Sequence, residues 1–219
     1  MLSVQRLIVR LGGLSVLRSL SLEVPAGGIV GLVGRNGAGK TTTLRSIMGL
    51  VPVVSGNVIL DGQELVRLPP FERGRLGIGY MPEDRRLIGS LTVKDNLLVP
   101  AWGQGRRDAD ERWDAVATLL PEVAALGRRQ ASQLSGGQQK LVALGRALFC
   151  AHRLLLLDEP MEGVSPALSA RMAEVVRAFQ ATKTDLTVLV AESDVNRVRL
   201  LTGHISTIER GEVVPTPEH

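Results

Sequence analysis

The stretch Gly34-Arg35-Asn36-Gly37-Ala38-Gly39-Lys40-Thr41, with Thr42 behind it, carries glycines at its first, fourth and sixth places and ends in Lys-Thr. Glycines let backbone N–H groups turn inward around phosphate oxygens with no Cβ in the way. The apolar run 29–33 before the loop reads as a buried strand, and residues 41–48 after it read as a helix. A helix starting there aims its positive end at the same charge. Lys40 can reach phosphate oxygens, and the Thr41 hydroxyl can ligate Mg²⁺. With average glycine usage the four fixed positions recur by chance in roughly one chain of this length in a hundred. The strand and helix around them make chance a poorer explanation still. Alone, the loop does not separate kinase, GTPase and ATPase.

Outward from the loop, β and α signals alternate. Leu20, Leu22 and Val24 alternate with Ser21 and Glu23, as in a half-buried strand. Residues 58–60 with Asp61-Gly62 read as a strand and a tight turn. Residues 85–151 look helical, with apolar residues at helical spacing over 110–120 and 138–151, among them Leu141, Leu144 and Leu148. Residues 154–157 are four leucines, a buried strand, and run into Asp158-Glu159-Pro160. A strand tip beside the loop's strand would put Asp158 on Mg²⁺ and turn Glu159 toward the terminal phosphate as general base. Ser165 and Pro166 start a helix with Leu168, Met172, Val175, Val176 and Phe179 on one face. A strand over 186–191 and a hairpin over 205–214 follow, and 215–219 is expected to fray. The pattern predicts an α/β nucleotide-binding core interrupted by a helical block.

The 219 residues fit one domain or one domain with a lobe. Apolar residues make up 44% and charged residues 22%, which excludes disorder as the main state. Cys150 is the sole cysteine, so no internal disulfide forms, and a reducing compartment is expected. Its place beside Phe149 on an apolar helix favours a buried, structural thiol. No apolar run nears the roughly 18 residues that cross a bilayer, and 1–12 does not read as a signal peptide. The net charge of +4 comes without basic clusters interleaved with aromatics, which are 3% of the chain, so no nucleic-acid partner is expected.

Leu134-Ser135-Gly136-Gly137-Gln138 decides the class. A serine and two glycines before a helix again offer a hydroxyl, backbone N–H groups and a helix dipole to an anion. With the loop before it and Leu-Asp-Glu-Pro after it, the chain resembles the ATP-binding cassette (ABC) ATPase family from about residue 7 to 214. The resemblance implies a P-loop nucleotide-hydrolase core with a RecA-like mixed sheet and an N-terminal antiparallel β portion. Residues 1–84 and 153–219 would form that core, and about 85–152 an inserted helical subdomain. It implies ATP and Mg²⁺ as cofactors, with 34–42 on the phosphates and Thr41 and Asp158 on the metal. It also implies a head-to-tail pair of such subunits, identical or paralogous. There Ser135, Gly136, Gly137 and Gln138 of one subunit close over the ATP held by the other. Separate membrane permease subunits would place the chain at the cytoplasmic face of the membrane, gripping a permease helix near 83–90. Gly79-Tyr80-Met81-Pro82-Glu83-Asp84-Arg85-Arg86, residues 91–97 and 159–166 are similar to the subunits of branched-chain amino-acid and urea or amide importers. The solute is not legible.

Three positions depart from the family pattern. Glu83 stands where a glutamine is usual, and a carboxylate there can still meet Mg²⁺. Ser193 stands at the switch histidine, which implies slow hydrolysis, since serine reaches a phosphate only through water or a shifted loop. His152, His204 and His219 do not fill that place. Leu11 stands at the aromatic that stacks on adenine and offers apolar contact without a π-face. These departures keep open a regulatory, weakly hydrolysing or non-transport ATPase. An ATPase of DNA repair or translation is disfavoured by the short chain and the lack of sustained heptads.

Overall fold

The computed structural model describes residues 1–105 and 107–215. The fraying expected over 215–219 lies, from Thr216 on, outside the described residues, as does His219.

Two sheets carry the fold. Strands β1 (Leu2–Leu11), β2 (Leu14–Val24), β4 (Ser55–Leu60) and β5 (Gln63–Glu64) form an antiparallel sheet in the order β2-β1-β4-β5. Their inward residues alternate as the sequence pattern requires: Leu20, Leu22 and Val24 are buried and Glu23 is exposed. The second sheet joins β3 (Ile29–Val33), β6 (Ile78–Met81), β7 (Leu154–Asp158), β8 (Thr187–Glu192), β9 (Ile205–Glu209) and β10 (Glu212–Val214). Its order is β10-β9-β3-β8-β7-β6, parallel except for the β9–β10 hairpin.

The leucines of β7 divide between two cores. Leu154 and Leu156 pack with β1, β2 and α1 (Lys40–Met48). Leu155 and Leu157 pack with α3 (Val93–Gln104), α6 (Gly136–Cys150) and α7 (Pro166–Ala181). All four are fully buried, each worth about 2 kcal/mol of hydrophobic stabilisation. Helices on both faces are what a parallel sheet demands. Between β6 and β7 the chain runs through α3, α4 (Ala109–Leu119), α5 (Pro121–Ala125) and α6. α7 links β7 to β8 and carries the expected cap, with the Leu168 N–H donating to Ser165 Oγ. The short helices α2 (Pro70–Arg75) and α8 (Val195–Arg199) complete the order.

One expectation is corrected. β7 does not lie beside β3; β8 runs between them. Local sequence does not encode the lateral order of parallel strands. Asp158 still reaches the loop helix, because Ala191, paired with Leu32 and Asp158, puts only a methyl between them.

Candidate functional site

The C-terminal ends of β3, β8 and β7 open side by side. Loop 34–39, Ser193 and the Asp158-Glu159 pair follow them directly. Parallel α/β sheets bind ligands at this edge. Gly37 and Gly39 take φ of 81° and 115°. At Gly39 the φ of 115° favours glycine, and a Cβ there would also stand 2.9 Å from the tip of the Leu17 side chain. α1 starts without a side-chain cap, which leaves its first-turn N–H groups available to an anion.

Lys40 is buried. Its Nζ donates to the carbonyls of Gly34 (2.8 Å) and Arg35 (3.2 Å) and pairs with Glu159 Oε1 at 3.0 Å. Ser193 Oγ donates to the other oxygen, Glu159 Oε2, at 3.2 Å. The main chain of Glu159 is left-handed, with φ 47°, and its N–H donates to the Ala191 carbonyl. Such a backbone costs a residue with a side chain about 1 to 2 kcal/mol and persists where the surroundings hold it.

Asp158 has no exposed surface. It accepts from Thr41 Oγ1 at 2.9 Å and from Tyr80 Oη at 3.2 Å. Burial pushes its carboxyl up to about 6; the two hydrogen bonds pull against that, and Glu83 and Glu159 add to it. Burial and the Asp158 charge together push the Tyr80 phenol up. A cleft of about 280 Å³ is lined by Asn36, Gly37, Gly39, Lys40, Thr41 and Thr42, with Val16, Glu83, Glu159 and Glu162.

Leu11 and the signature residues do not line this cleft. Leu11 ends β1, 37% exposed, and the apolar wall is Val16. Ser135 caps α6 in a reciprocal box: its Oγ accepts from the Gln138 N–H at 3.3 Å, and Gln138 Oε1 accepts from the Ser135 N–H at 3.0 Å. Gly136 and Gly137 form the first turn of that helix.

Comparison with known proteins places this geometry. The ABC transporter family profile matches residues 17–162, from β2 through the turn after Glu159. The chain belongs to the ABC transporter family. It is an ATPase of that family. The high-affinity branched-chain amino acid transport ATP-binding protein BraG of Pseudomonas aeruginosa is 35% identical over 214 residues, 98% of this chain and 91% of BraG. The lipopolysaccharide export system ATP-binding protein LptB of Escherichia coli is 33% identical, covering 92% of this chain and 84% of LptB. Among solved structures, the ADP conformation of MJ1267, an ATP-binding cassette of an ABC transporter, superposes with a TM-score of 0.82 at 26% identity, covering 98% of this chain and 89% of that one.

The ATPase holds site residues that sequence reading missed. Val16 lines the cleft from β2, and Tyr80, on the wall of a neighbouring groove, holds Asp158 from β6. Lys140 and Glu192 lie buried beneath it. Lys140 left no clear signal: it follows Gln138 and Gln139 near the start of α6, which also carries Arg146. Glu192 left one, an acid closing the apolar strand β8. A larger groove, about 520 Å³, lies away from the chemistry between α1, α2, α3 and α6. Its floor includes Met48, Leu50, Ile78 and Val99, and Arg45, Arg75, Arg86 and Arg146 also line it. Phe71 stands 60% exposed there with the Arg75 guanidinium 5.5 Å from its ring centre. Arg146 donates to the carbonyls of Arg85 and Arg86, tying the loop after Glu83 to α6.

Proposed function

We propose that the chain is the ATP-hydrolysing subunit of an importer for branched-chain amino acids or related small solutes. It acts as one half of a dimer whose closure on ATP drives separate membrane subunits. The observation that carries this reading is the division of the phosphate-binding devices. Lys40, Thr41, Asp158, Glu159 and Ser193 gather at one cleft, and the Ser135 cap, equally suited to an anion, lies outside it. Each is half of a site that a second subunit completes. Residues 1–84 and 153–219 form the nucleotide-binding core, and about 85–152 the helical subdomain.

The donors fit Mg²⁺. Thr41 and Asp158 present adjacent oxygens, and the buried Asp158 carboxylate gains most from a nearby cation. Among the described residues no three His, Cys, Asp or Glu side chains cluster to hold a metal alone. Thr41, Asp158 and Glu83 would therefore share it with phosphate oxygens and water. When bound, the ion neutralises charge on the phosphates.

The chain's own residues divide the remaining work. Loop 34–42 orients the phosphates. Lys40, shared between loop carbonyls and Glu159, is competed for by phosphate oxygens. Glu159, so released, accepts the proton of the attacking water. Ser193 orients Glu159, and Leu11, outside the phosphate cleft, offers apolar contact to the adenine. Ser193→His adds a longer side chain, charged in part at neutral pH, and is expected to raise kcat by roughly 5-fold. A Ser193→His protein no faster than wild type removes the switch role from this position.

No helix among the described residues is long and apolar enough to cross a membrane. The arginine-lined groove, with Pro82 and Arg86 from the loop after β6, suits a cytoplasmic helix of a membrane subunit. BraG favours amino-acid import over the export that LptB serves, on identity and on shared length. The test is uptake of labelled leucine, isoleucine and valine by cells expressing the chain with its genetic neighbours, with and without Glu159→Gln. Uptake lost with the substitution supports the importer. Uptake indifferent to it, with intact turnover in the purified chain, leaves an ATPase that serves something else.

A further inference from the structure

A lysine lies near the start of α6, between Gln139 and the apolar run that begins at Leu141. Lys140 is 3% exposed, and its Nζ donates to the main-chain carbonyl of Glu159 at 2.6 Å. Glu159 is therefore gripped at both ends. Lys40 and Ser193 hold its carboxylate, the Ala191 carbonyl takes its N–H at 2.9 Å, and Lys140 supplies the shorter of two bonds to its carbonyl. The other comes from the Glu162 N–H at 3.3 Å. The left-handed backbone of Glu159 needs such holding. The ammonium is surrounded by Glu192, Glu162 and Glu159, with Arg85 opposing. Glu192, fully buried, accepts from the Met161 N–H at 2.8 Å and pins the same turn from the other side.

We infer that Lys140 is a positioning residue for hydrolysis: its ammonium fixes the turn at Glu159 and so aims that carboxylate between Lys40 and Ser193. The inference rests on reading Glu159 as the general base. It also gives the signature helix a direct hold on the base. Lys140 sits five residues beyond Ser135 on the same helix, roughly 7 Å along its axis. A shift of α6 on closure of its capped end reaches Glu159 through one side chain.

Lys140→Met keeps the length and removes the donor and charge; Lys140→Gln restores a neutral donor. Three measurements are made on the full chain: the Kd of a fluorescent ATP analogue, kcat with Mg-ATP, and amide hydrogen exchange. For Lys140→Met the expected Kd stays within about 2-fold, and kcat falls about 10- to 100-fold, the cost of a base misplaced by an ångström. Exchange at the Glu159 and Met161 amides, unlike that of β7 and β8, rises about 10-fold. Lys140→Gln recovers part of both changes. Wild-type kcat and exchange in Lys140→Met overturn the inference. So does faster exchange spread evenly over β7 and β8, which marks a core role. Recovery of kcat in Lys140→Met/Glu192→Gln overturns it too, since the fault was then an uncompensated buried carboxylate. The exchange measurement needs no turnover. Should Glu159→Gln hydrolyse ATP at the wild-type rate, the base reading falls while exchange still judges the hold of Lys140 on the turn.

Discussion

Glu159→Gln binds ATP at least as tightly as the unaltered chain and hydrolyses it at least about 100-fold more slowly, the contribution of a positioned general base. The two halves of this expectation come from different atoms of one residue. Glu159 Oε1 lies 3.0 Å from Lys40 Nζ, and both side chains are buried. The carboxylate thus competes with phosphate for the one lysine of the loop. An amide is a weaker competitor, so Lys40 is freer to meet phosphate oxygens, and affinity holds or rises. The same change removes the group that can accept a proton from water, while Ser193 Oγ can still donate to the amide oxygen at nearly the same place. Geometry is therefore conserved and chemistry is not. The measurement is kcat from phosphate release beside Kd from equilibrium binding. Turnover within 5-fold of wild type means the proton goes elsewhere. Unmeasurable turnover in both proteins, with tight binding in both, favours an ATP-binding subunit whose altered switch does not hydrolyse.

What was legible follows from which residues dictate backbone locally. Gly37 and Gly39 take positive φ and Ser135 caps its helix because their own chemistry makes them do so, and a linear reading finds such residues. Asp158 and Glu159 were legible as the end of an apolar strand. Their partners were not: Ser193 meets Glu159 only because β8 runs beside β7, and the lateral order of the strands is written in no single segment. β6 went unread, since its four residues, with glycines at 77 and 79, are too few to show a period. The family resemblance points to Leu11, yet Val16, the third residue of the next strand, lines the cleft because the hairpin turns between them. Lys140 and Arg73 resemble surface charges in sequence. Both are buried against main-chain carbonyls, silent in a sequence: four at Arg73 and that of Glu159 at Lys140.

Arg73 sets the second large expectation. Arg73→Ala destabilises the chain by about 4 kcal/mol, since removing a buried charged donor takes that partner from four carbonyls, of which Ser46 keeps the Gly49 N–H at 3.1 Å. Arg73 is 3% exposed on α2 and donates to four carbonyls: Leu68 and Ser46 and Ile47 at 2.8 Å, and Val66 at 3.1 Å. Ser46 and Ile47 lie in the last turn of α1, whose carbonyls have no partner within the helix. A fixed cation at that end also meets the negative pole of the helix. Burial pulls the Arg73 pKa down, and the nearby Glu64 charge opposes it. A guanidinium remains charged under such pressure, which a lysine would not reliably do. The fit is close: a Cβ at Gly49, just past α1, would stand 2.7 Å from the guanidinium carbon. Lys at 73 can serve fewer of the four carbonyls and is expected to lose about half as much. For a chain of this size 4 kcal/mol lowers the melting temperature by about 10 °C. Saturating ATP should raise the melting points of Arg73→Ala and wild type by similar amounts, because linkage depends on affinity and the phosphate loop lies at the opposite end of α1. A melting point within 2 °C of wild type would show that water reaches those carbonyls when the arginine is gone. An ATP-dependent rise missing from the variant alone would show that α1 transmits the loss to the loop.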